Sequence, residues 1–180
     1  MIEVVWHGRG GQGAFTAARI LGEAATLFSD NHALSFPTFG PERRGAPVLG
    51  FTKIDSVPIA DRSEIESADF RIYLDETLFD GDSSRELKRG GICLINGASG
   101  AETTINRRGA LRIDATALAL DILGLPIVNT AMIGALAAVW AGIPLVSLEK
   151  AILLELKPSA AQKNIVLLNA AYNATKRKRS

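Results

Sequence analysis

A glycine-rich stretch near the start of the chain holds the residues whose types and spacing best suit the binding of an anion. It contains four glycines, an arginine and a glutamine, in the order Gly8, Arg9, Gly10, Gly11, Gln12 and Gly13. Glycines spaced G-x-G-x-x-G let the main chain turn tightly and let a phosphate approach the backbone N–H groups. Arg9 adds a charged donor and Gln12 an amide donor. The stretch therefore predicts a site for a phosphate-bearing group.

The residues on either side of this turn predict the elements that would position it. Residues 2–6 are apolar enough for a buried strand, and residues 14–21 carry apolar side chains at helical spacing. A helix that begins there directs its free N–H groups and its positive dipole end at the turn. Because the glycine pattern lies between a predicted strand and a predicted helix, it is a more specific signal than the same pattern would be alone. A tight strand-to-helix connection that binds nothing remains the alternative.

A nicotinamide or flavin dinucleotide is the first ligand that such a turn indicates, but the second predicted strand counts against it. The dinucleotide-binding fold places an acid or an arginine at the end of that strand, about 20 residues on, where it contacts the ribose. Here the strand ends in Ser35-Phe36-Pro37, and Asp30 precedes the strand. The sequence therefore favours a different phosphate-bearing ligand.

A second loop carries two adjacent arginines. Arg43 and Arg44 lie between Glu42 and Gly45, in a stretch that also contains two prolines. Two guanidinium groups in a glycine-flanked loop suit the recognition of a phosphate or a carboxylate. Contact with a ligand and salt bridges to another subunit suit this pattern about equally, and a solvated surface loop without a partner suits it less.

The composition excludes several kinds of catalytic site within this chain of 180 residues. The single cysteine, Cys93, excludes an internal disulfide and a Cys-based metal or iron–sulfur site. The two histidines, His7 and His32, have no acid and nucleophile around them in a recognisable motif. No metal-ligand spacing appears, and we expect His7 to orient the loop rather than to act as a base. The chain therefore lacks the parts of a self-sufficient enzyme and is predicted to be a subunit that holds part of a substrate.

Predicted strands alternate with helical stretches, which is typical of an α/β fold. We expect a three-layer, Rossmann-like, mostly parallel sheet with helices on both faces and a ligand at the carboxyl ends of the strands. Residues 1–175 would form one domain and residues 176–180 a basic tail. Ser63 and Glu66 predict a capping box of a short helix, and residues 83–88 a further helical segment.

Charge and hydropathy narrow the choice of partners. The net charge of +1 gives no electrostatic reason to expect nucleic-acid binding. No uncharged apolar run reaches the roughly 18 residues that a membrane span needs. We therefore expect a cytoplasmic protein that binds neither nucleic acid nor a membrane.

The two loops together resemble a known family. Residues 7–13, H-G-R-G-G-Q-G, resemble the opening of the gamma subunits of 2-oxoacid:ferredoxin oxidoreductases. Residues 36–48 resemble that family's second motif, and residues 129–135, N-T-A-M-I-G-A, match further downstream. The sequence E-R-R-G-A-P at 42–47 is similar to the branch that acts on pyruvate and 2-oxoisovalerate.

This resemblance implies a division of labour. The whole enzyme would decarboxylate a 2-oxoacid, pass two electrons to ferredoxin and transfer the acyl group to coenzyme A. Thiamine diphosphate, Mg²⁺ and the iron–sulfur clusters would lie in partner subunits, the alpha, beta and delta subunits, in agreement with the single cysteine. The gamma subunit would not be catalytic alone.

The resemblance also implies which ligand the glycine turn would hold, because the gamma subunit is associated with coenzyme A. Backbone N–H groups of residues 10–13 would bind one of its phosphates. Arg9, Arg43 and Arg44 would neutralise its charge, and Gln12 would orient the loop. An interface subunit that binds no ligand is the rival function, and a stand-alone dinucleotide reductase is the third.

Overall fold

The computed structural model of the chain describes residues 1–38, 45–81, 86–98 and 110–179. Six strands form one sheet: β1 Ile2–Arg9, β2 His32–Pro37, β3 Pro47–Asp55, β4 Ala68–Tyr73, β5 Leu87–Asn96 and β6 Ala110–Ile113. Five α-helices accompany them within these ranges: α1 Ala14–Phe28, α2 Ala115–Leu123, α3 Asn129–Val139, α4 Leu145–Glu155 and α5 Pro158–Arg179. A single 3-10 turn spans Glu76–Leu78.

The strands lie in the order β2-β3-β1-β4-β5-β6. The strands β1, β4, β5 and β6 are parallel to one another, and β3 is antiparallel to both of its neighbours, β1 and β2. The predicted α/β class with a mostly parallel sheet is confirmed. The parallel strands all end at one edge, so the turn after β1 lies beside the segments that follow β4, β5 and β6.

The two faces of the sheet are covered differently. Val4 and Trp6 of β1 pack in one core cluster together with residues from all five helices. On the other face, Val5 and Tyr73 belong to two smaller clusters that contain no residue of α1–α5 within the described ranges. Side chains of connecting segments, such as Ile65, cover that face instead.

The prediction of helices on both faces was therefore wrong for the described part of the chain. The connection between β4 and β5 contributes only the 3-10 turn there, whereas α2–α5 follow one another and pack together over the face that already holds α1. Two neighbouring parallel strands can be joined without a covering helix when the connection supplies its own apolar side chains. Leu78 and Phe79 do this against the cluster that contains Tyr73.

Local side-chain contacts decide where several elements begin and end. Asp114 caps α2, because its carboxylate accepts the N–H of Ala117 at 2.8 Å. Ser63 does not begin a helix, because its N–H is bound to Asp61 Oδ1 at 2.9 Å in a segment without regular secondary structure. Of the helical segment predicted at 83–88, residues 87 and 88 belong to β5, and residues 82–85 lie outside the described ranges.

A buried lysine holds the segment between β3 and β4 against the sheet face that carries Val5 and Tyr73. This face, over which no described helix packs, is called the helix-free face below. Lys53 on β3 is fully buried, and its ammonium group is paired with the Asp61 carboxylate at 2.5 Å. Hydrogen bonds from Lys53 and Ser63 hold the pKa of Asp61 well below its ordinary value. The segment between β3 and β4 is thus held to the sheet by one ion pair and by the buried side chain of Ile65.

The carboxyl-terminal residues continue the last helix. The helix α5 runs to Arg179, so the main chain of the predicted basic tail at 176–179 is helical. None of the described helices combines the length and the apolar composition that a membrane-spanning helix requires.

Candidate anion-binding site

The glycine turn leaves the amino-terminal end of α1 open. Gly13 is the N-cap residue and has φ 82°, in the left-handed region, and no side chain caps the helix. Gly11 also lies in that region, with φ 94°. Because uncapped N–H groups and the helix dipole point at the turn, this end of α1 favours an anion.

The N–H groups of residues 10–13 divide into two that are engaged and two that are open. Gly10 N–H donates to the Ala46 carbonyl at 2.9 Å, and Gln12 N–H donates to the Arg9 carbonyl at 2.9 Å. Within the described ranges, the N–H groups of Gly11 and Gly13 have no acceptor. The donors available to a ligand are therefore those of Gly11, Gly13 and the first turn of α1.

Asp75, the second residue after the end of β4, holds the side chains of the turn in place. Its Oδ2 accepts from Arg9 Nε at 3.0 Å and from Gln12 Nε2 at 3.2 Å. Gln12 Oε1 in turn accepts the backbone N–H of Arg9 at 2.7 Å. Burial raises the pKa of Asp75, but hydrogen bonds from Thr77, Gln12 and Arg9 outweigh it and lower the pKa to about 2. Asp75 is therefore ionised near pH 7 and anchors the turn to β4.

Each of the three guanidinium nitrogens of Arg9 donates one hydrogen bond within the chain. Besides Asp75, the group donates from Nη2 to Thr77 Oγ1 at 2.8 Å and from Nη1 to the Gly45 carbonyl at 3.2 Å. The positive charge of Arg9, which we expected from the sequence to face a ligand, is thus already paired with the Asp75 carboxylate. In this arrangement Arg9 positions the turn, and its charge is available to a ligand only in part.

Arg43 and Arg44 lie outside the described residues. The residues on both sides of their segment are described, and one side contacts the glycine turn directly. Gly45 O accepts from Arg9, and Ala46 O accepts from Gly10. The fold therefore brings the carboxyl-terminal flank of the arginine loop to the glycine turn, as a shared site requires.

A cleft of about 730 Å³ opens at the carboxyl ends of the parallel strands, next to the turn. The residues that line it include Gln12, Asp75, Asn96, Thr116 and Val128. Asn96 donates to the Leu74 carbonyl at 2.9 Å and accepts the N–H of Thr116 at 3.2 Å, which fixes the end of β5 against α2. This is the position at which α/β sheets bind ligands.

His7 lies on the helix-free face, away from this cleft. Its ring stacks on Tyr73 with centroids 4.1 Å apart, and Arg71 Nη1 donates to His7 Nε2 at 3.1 Å. Burial and the positive charge of Arg71 lower the pKa of His7 to about 3. The ring is neutral at pH 7 and carries its proton on Nδ1, so it joins β1 to β4 and is not poised to remove a proton.

Two residues beside the turn were missed as site residues. Asp75 and Asn129 both lie beside the turn, but the residues that they contact there are remote from them in sequence, so no local pattern marks them. In the part of the chain that the structure describes, no group of three or more His, Cys, Asp or Glu could hold a metal ion.

The sequence that forms this turn, cleft and sheet matches a known protein family. Residues 3–174 match the family profile described as pyruvate ferredoxin/flavodoxin oxidoreductase. The chain belongs to this oxidoreductase family. The resemblance that the glycine turn and the arginine loop indicated is confirmed, and it extends over nearly all of the chain.

Members of the oxidoreductase family with similar length are close in sequence. The chain is 45% identical over 174 residues to pyruvate synthase subunit PorC of Methanocaldococcus jannaschii, which covers 96% of each protein. It is 42% identical over 181 residues to the pyruvate/ketoisovalerate oxidoreductases common subunit gamma of Pyrococcus furiosus, which covers 97% of each.

The fold agrees with a solved member of the family. The crystal structure of pyruvate oxidoreductase subunit PORC from Thermotoga maritima has a TM-score of 0.80 and 33% sequence identity to this chain. The superposition covers 96% of this chain and 95% of that one.

Proposed function

We propose that this chain is the gamma subunit of a pyruvate-type 2-oxoacid:ferredoxin oxidoreductase and that its glycine turn holds coenzyme A. The observation that carries the ligand proposal is the open amino-terminal end of α1, with the N–H groups of Gly11 and Gly13 free of acceptors in the described ranges. Coenzyme A carries a pyrophosphate and a 3′-phosphate, which are the groups that such a helix end binds. The names of the full-length relatives support the choice of enzyme.

In this proposal the negative charge of the ligand is balanced mainly by the two arginines of the second loop, Arg43 and Arg44. Arg9 is paired with Asp75, so it fixes the turn and contributes only part of its charge to a phosphate. Gln12 holds the turn by bonding to both Arg9 and Asp75. Arg43 and Arg44 supply the remaining positive charge beside the phosphate, because guanidinium groups make charge-assisted hydrogen bonds to phosphate oxygens.

The rest of the reaction takes place in partner subunits. Thiamine diphosphate, Mg²⁺ and the iron–sulfur clusters belong to the alpha, beta and delta subunits, and ferredoxin accepts electrons from the whole complex in the cytoplasm. Support comes from the single cysteine, Cys93, which is buried in the sheet and cannot by itself hold a cluster.

The rival function, an interface subunit without a ligand, has one observation in its favour. Large apolar side chains are exposed on the outer surfaces of the helices and their connections, among them Leu120, Leu125, Ile127, Val146, Leu153 and Leu154. Such residues suit subunit contacts. An interface role accounts for them but not for an uncapped helix end beside a cleft, and a gamma subunit that binds coenzyme A needs interfaces as well.

The test uses the assembled complex with Arg43→Ala, Arg44→Ala and both together. Each loss of a charge-assisted hydrogen bond is expected to raise the apparent KM for coenzyme A by about tenfold. Arg19→Ala is the matched control, because Arg19 lies farther along α1 and pairs with Glu155 at the end of α4. An unchanged KM for coenzyme A in the double variant, with subunit assembly intact, contradicts the ligand role of the loop.

A further inference from the structure

The amino-terminal ends of α1 and α3 meet at Gly13 and Asn129. Asn129 is the first residue of α3, and Gly13 is the N-cap of α1. A Cβ atom placed on Gly13 would lie 2.7 Å from Asn129 Nδ2, so the side-chain amide lies directly against the glycine turn. The fold therefore places an amide donor at the end of α1 from a second helix.

The amide of Asn129 has an unused donor although its side chain is buried. Asn129 is only 6% exposed, and its Oδ1 accepts the backbone N–H of Thr130 at 2.9 Å. This bond fixes which end of the amide is the oxygen and leaves Nδ2 as the donor. Among the described residues, Nδ2 contacts no acceptor, and it is not one of the fully buried unpaired atoms, so a ligand can reach it. A donor of this kind, held against an anion-binding turn, points to a ligand oxygen.

The positive dipole ends of α1 and α3 both favour an anion at this position. Like α1, α3 begins without a side-chain cap. The neighbouring α2 differs, because the carboxylate of Asp114 caps its amino-terminal end. The uncompensated positive ends in this region are therefore those of α1 and α3, and both favour an anion.

We propose that Asn129 is a ligand-binding residue whose Nδ2 donates to the phosphate group that the N–H groups at the start of α1 hold. The ligand class is a phosphate ester or a diphosphate, and its identity as coenzyme A rests on the proposed function above. The cleft between Gln12 and Val128 gives the rest of such a ligand room beside the phosphate.

The test compares Asn129→Asp with a control in the same helical turn. The aspartate keeps an oxygen to accept the N–H of Thr130, but it replaces the donor with a charge that repels phosphate. Thr130→Val is the control, because Thr130 is fully buried and its hydroxyl bonds to Asn164 at 2.7 Å instead of facing α1. Binding of inorganic pyrophosphate and of coenzyme A to the full chain is measured by calorimetry at low ionic strength.

Asn129→Asp is expected to weaken both ligands by about tenfold or more, while Thr130→Val leaves both affinities within about twofold of wild type. The thermal midpoint of each variant is measured in the same buffer, and we expect that of Asn129→Asp to stay close to wild type because the helix dipole offsets the cost of burying the carboxylate. A loss of affinity at an unchanged midpoint is then a loss of binding and not of folding. Unchanged affinities in Asn129→Asp overturn the role of Asn129 and leave the coenzyme A proposal standing. Pyrophosphate binding that depends on Asn129, without coenzyme A binding, supports this site and overturns coenzyme A as its ligand. No binding of either probe to the wild-type chain, whether isolated or in the assembled complex, overturns both.

Discussion

Arg9 Nε donates to Asp75 Oδ2 at 3.0 Å, across 66 residues of sequence, and this ion pair joins the ends of the neighbouring parallel strands β1 and β4. The same carboxylate accepts from Gln12, which itself holds the backbone of Arg9. The conformation of the glycine turn therefore depends on a residue of another strand. A ligand that binds to the turn meets N–H groups that are already in place, so little ordering is needed on binding.

Asp75→Asn removes this anchor. The amide keeps one oxygen but places an NH₂ group against donors, so we expect the free energy of unfolding to fall by about 1–3 kcal/mol. Urea unfolding at pH 7 measures the loss, and Asp121→Asn on the exposed surface of α2 is the matched control. A loss no larger than that of the control would show that Asp75 does not hold the turn.

The Asp75 anchor also has a defined pH dependence. Its pKa is lowered from 3.8 to about 2 in the folded chain, so the unfolded chain takes up the proton first as the pH falls. The stability from Asp75 is complete above about pH 5 and is lost as the pH falls from about 4 to about 2. The difference in unfolding free energy between wild type and Asp75→Asn should therefore shrink over that interval, and a constant difference would contradict the assignment.

Gly13→Ala is expected to cost more stability than Gly11→Ala. Both residues have positive φ, so each alanine is strained by roughly 1 kcal/mol. A Cβ at Gly11 meets open space, whereas a Cβ at Gly13 meets Asn129 Nδ2. We expect a total loss of about 3 kcal/mol at Gly13, measured by chemical denaturation. Equal losses at the two positions would mean that α3 does not press against the turn.

His7 makes the folded chain sensitive to mild acid. Burial and Arg71 lower its pKa from 6.5 to about 3, so below pH 6.5 the unfolded chain binds a proton that the folded chain does not. Stability is therefore complete above about pH 7 and falls as the pH drops toward 3, by up to about 2 kcal/mol at pH 5. His7→Gln keeps an acceptor for Arg71 and should flatten this dependence in urea unfolding at pH 7.5 and 5.0. A variant that retains the wild-type slope would assign the titration to another group.

The sequence predicts those parts of the fold that depend on local patterns. The strand before Gly8 and the helix after Gly13 follow from adjacent residues, and so does the cap of α2 by Asp114. The face on which a helix packs is not a local property. The helices α2–α5 look no different in sequence from helices on opposite faces, but they pack together on one side of the sheet.

The residues of the candidate site likewise include some that a local sequence pattern reveals and others that it does not. The turn could be found because glycine spacing between a strand and a helix is a pattern within a few residues. The roles of Asp75 and Asn129 could not be found, because each depends on a contact between elements distant in sequence. The pairing of Arg9 with Asp75 likewise changes what Arg9 can offer to a ligand. Contact of Arg43 and Arg44 with a ligand stays a prediction.

Calorimetric titration of the chain with coenzyme A tests the central claim most directly. We predict saturable binding at one site per chain, weakened when inorganic pyrophosphate competes and weakened again as salt screens the phosphate charges. Dephospho-coenzyme A, which lacks the 3′-phosphate, separates the contribution of that group from that of the pyrophosphate. The absence of saturable binding to the isolated chain, together with its absence from this subunit in the assembled complex, would contradict the claim.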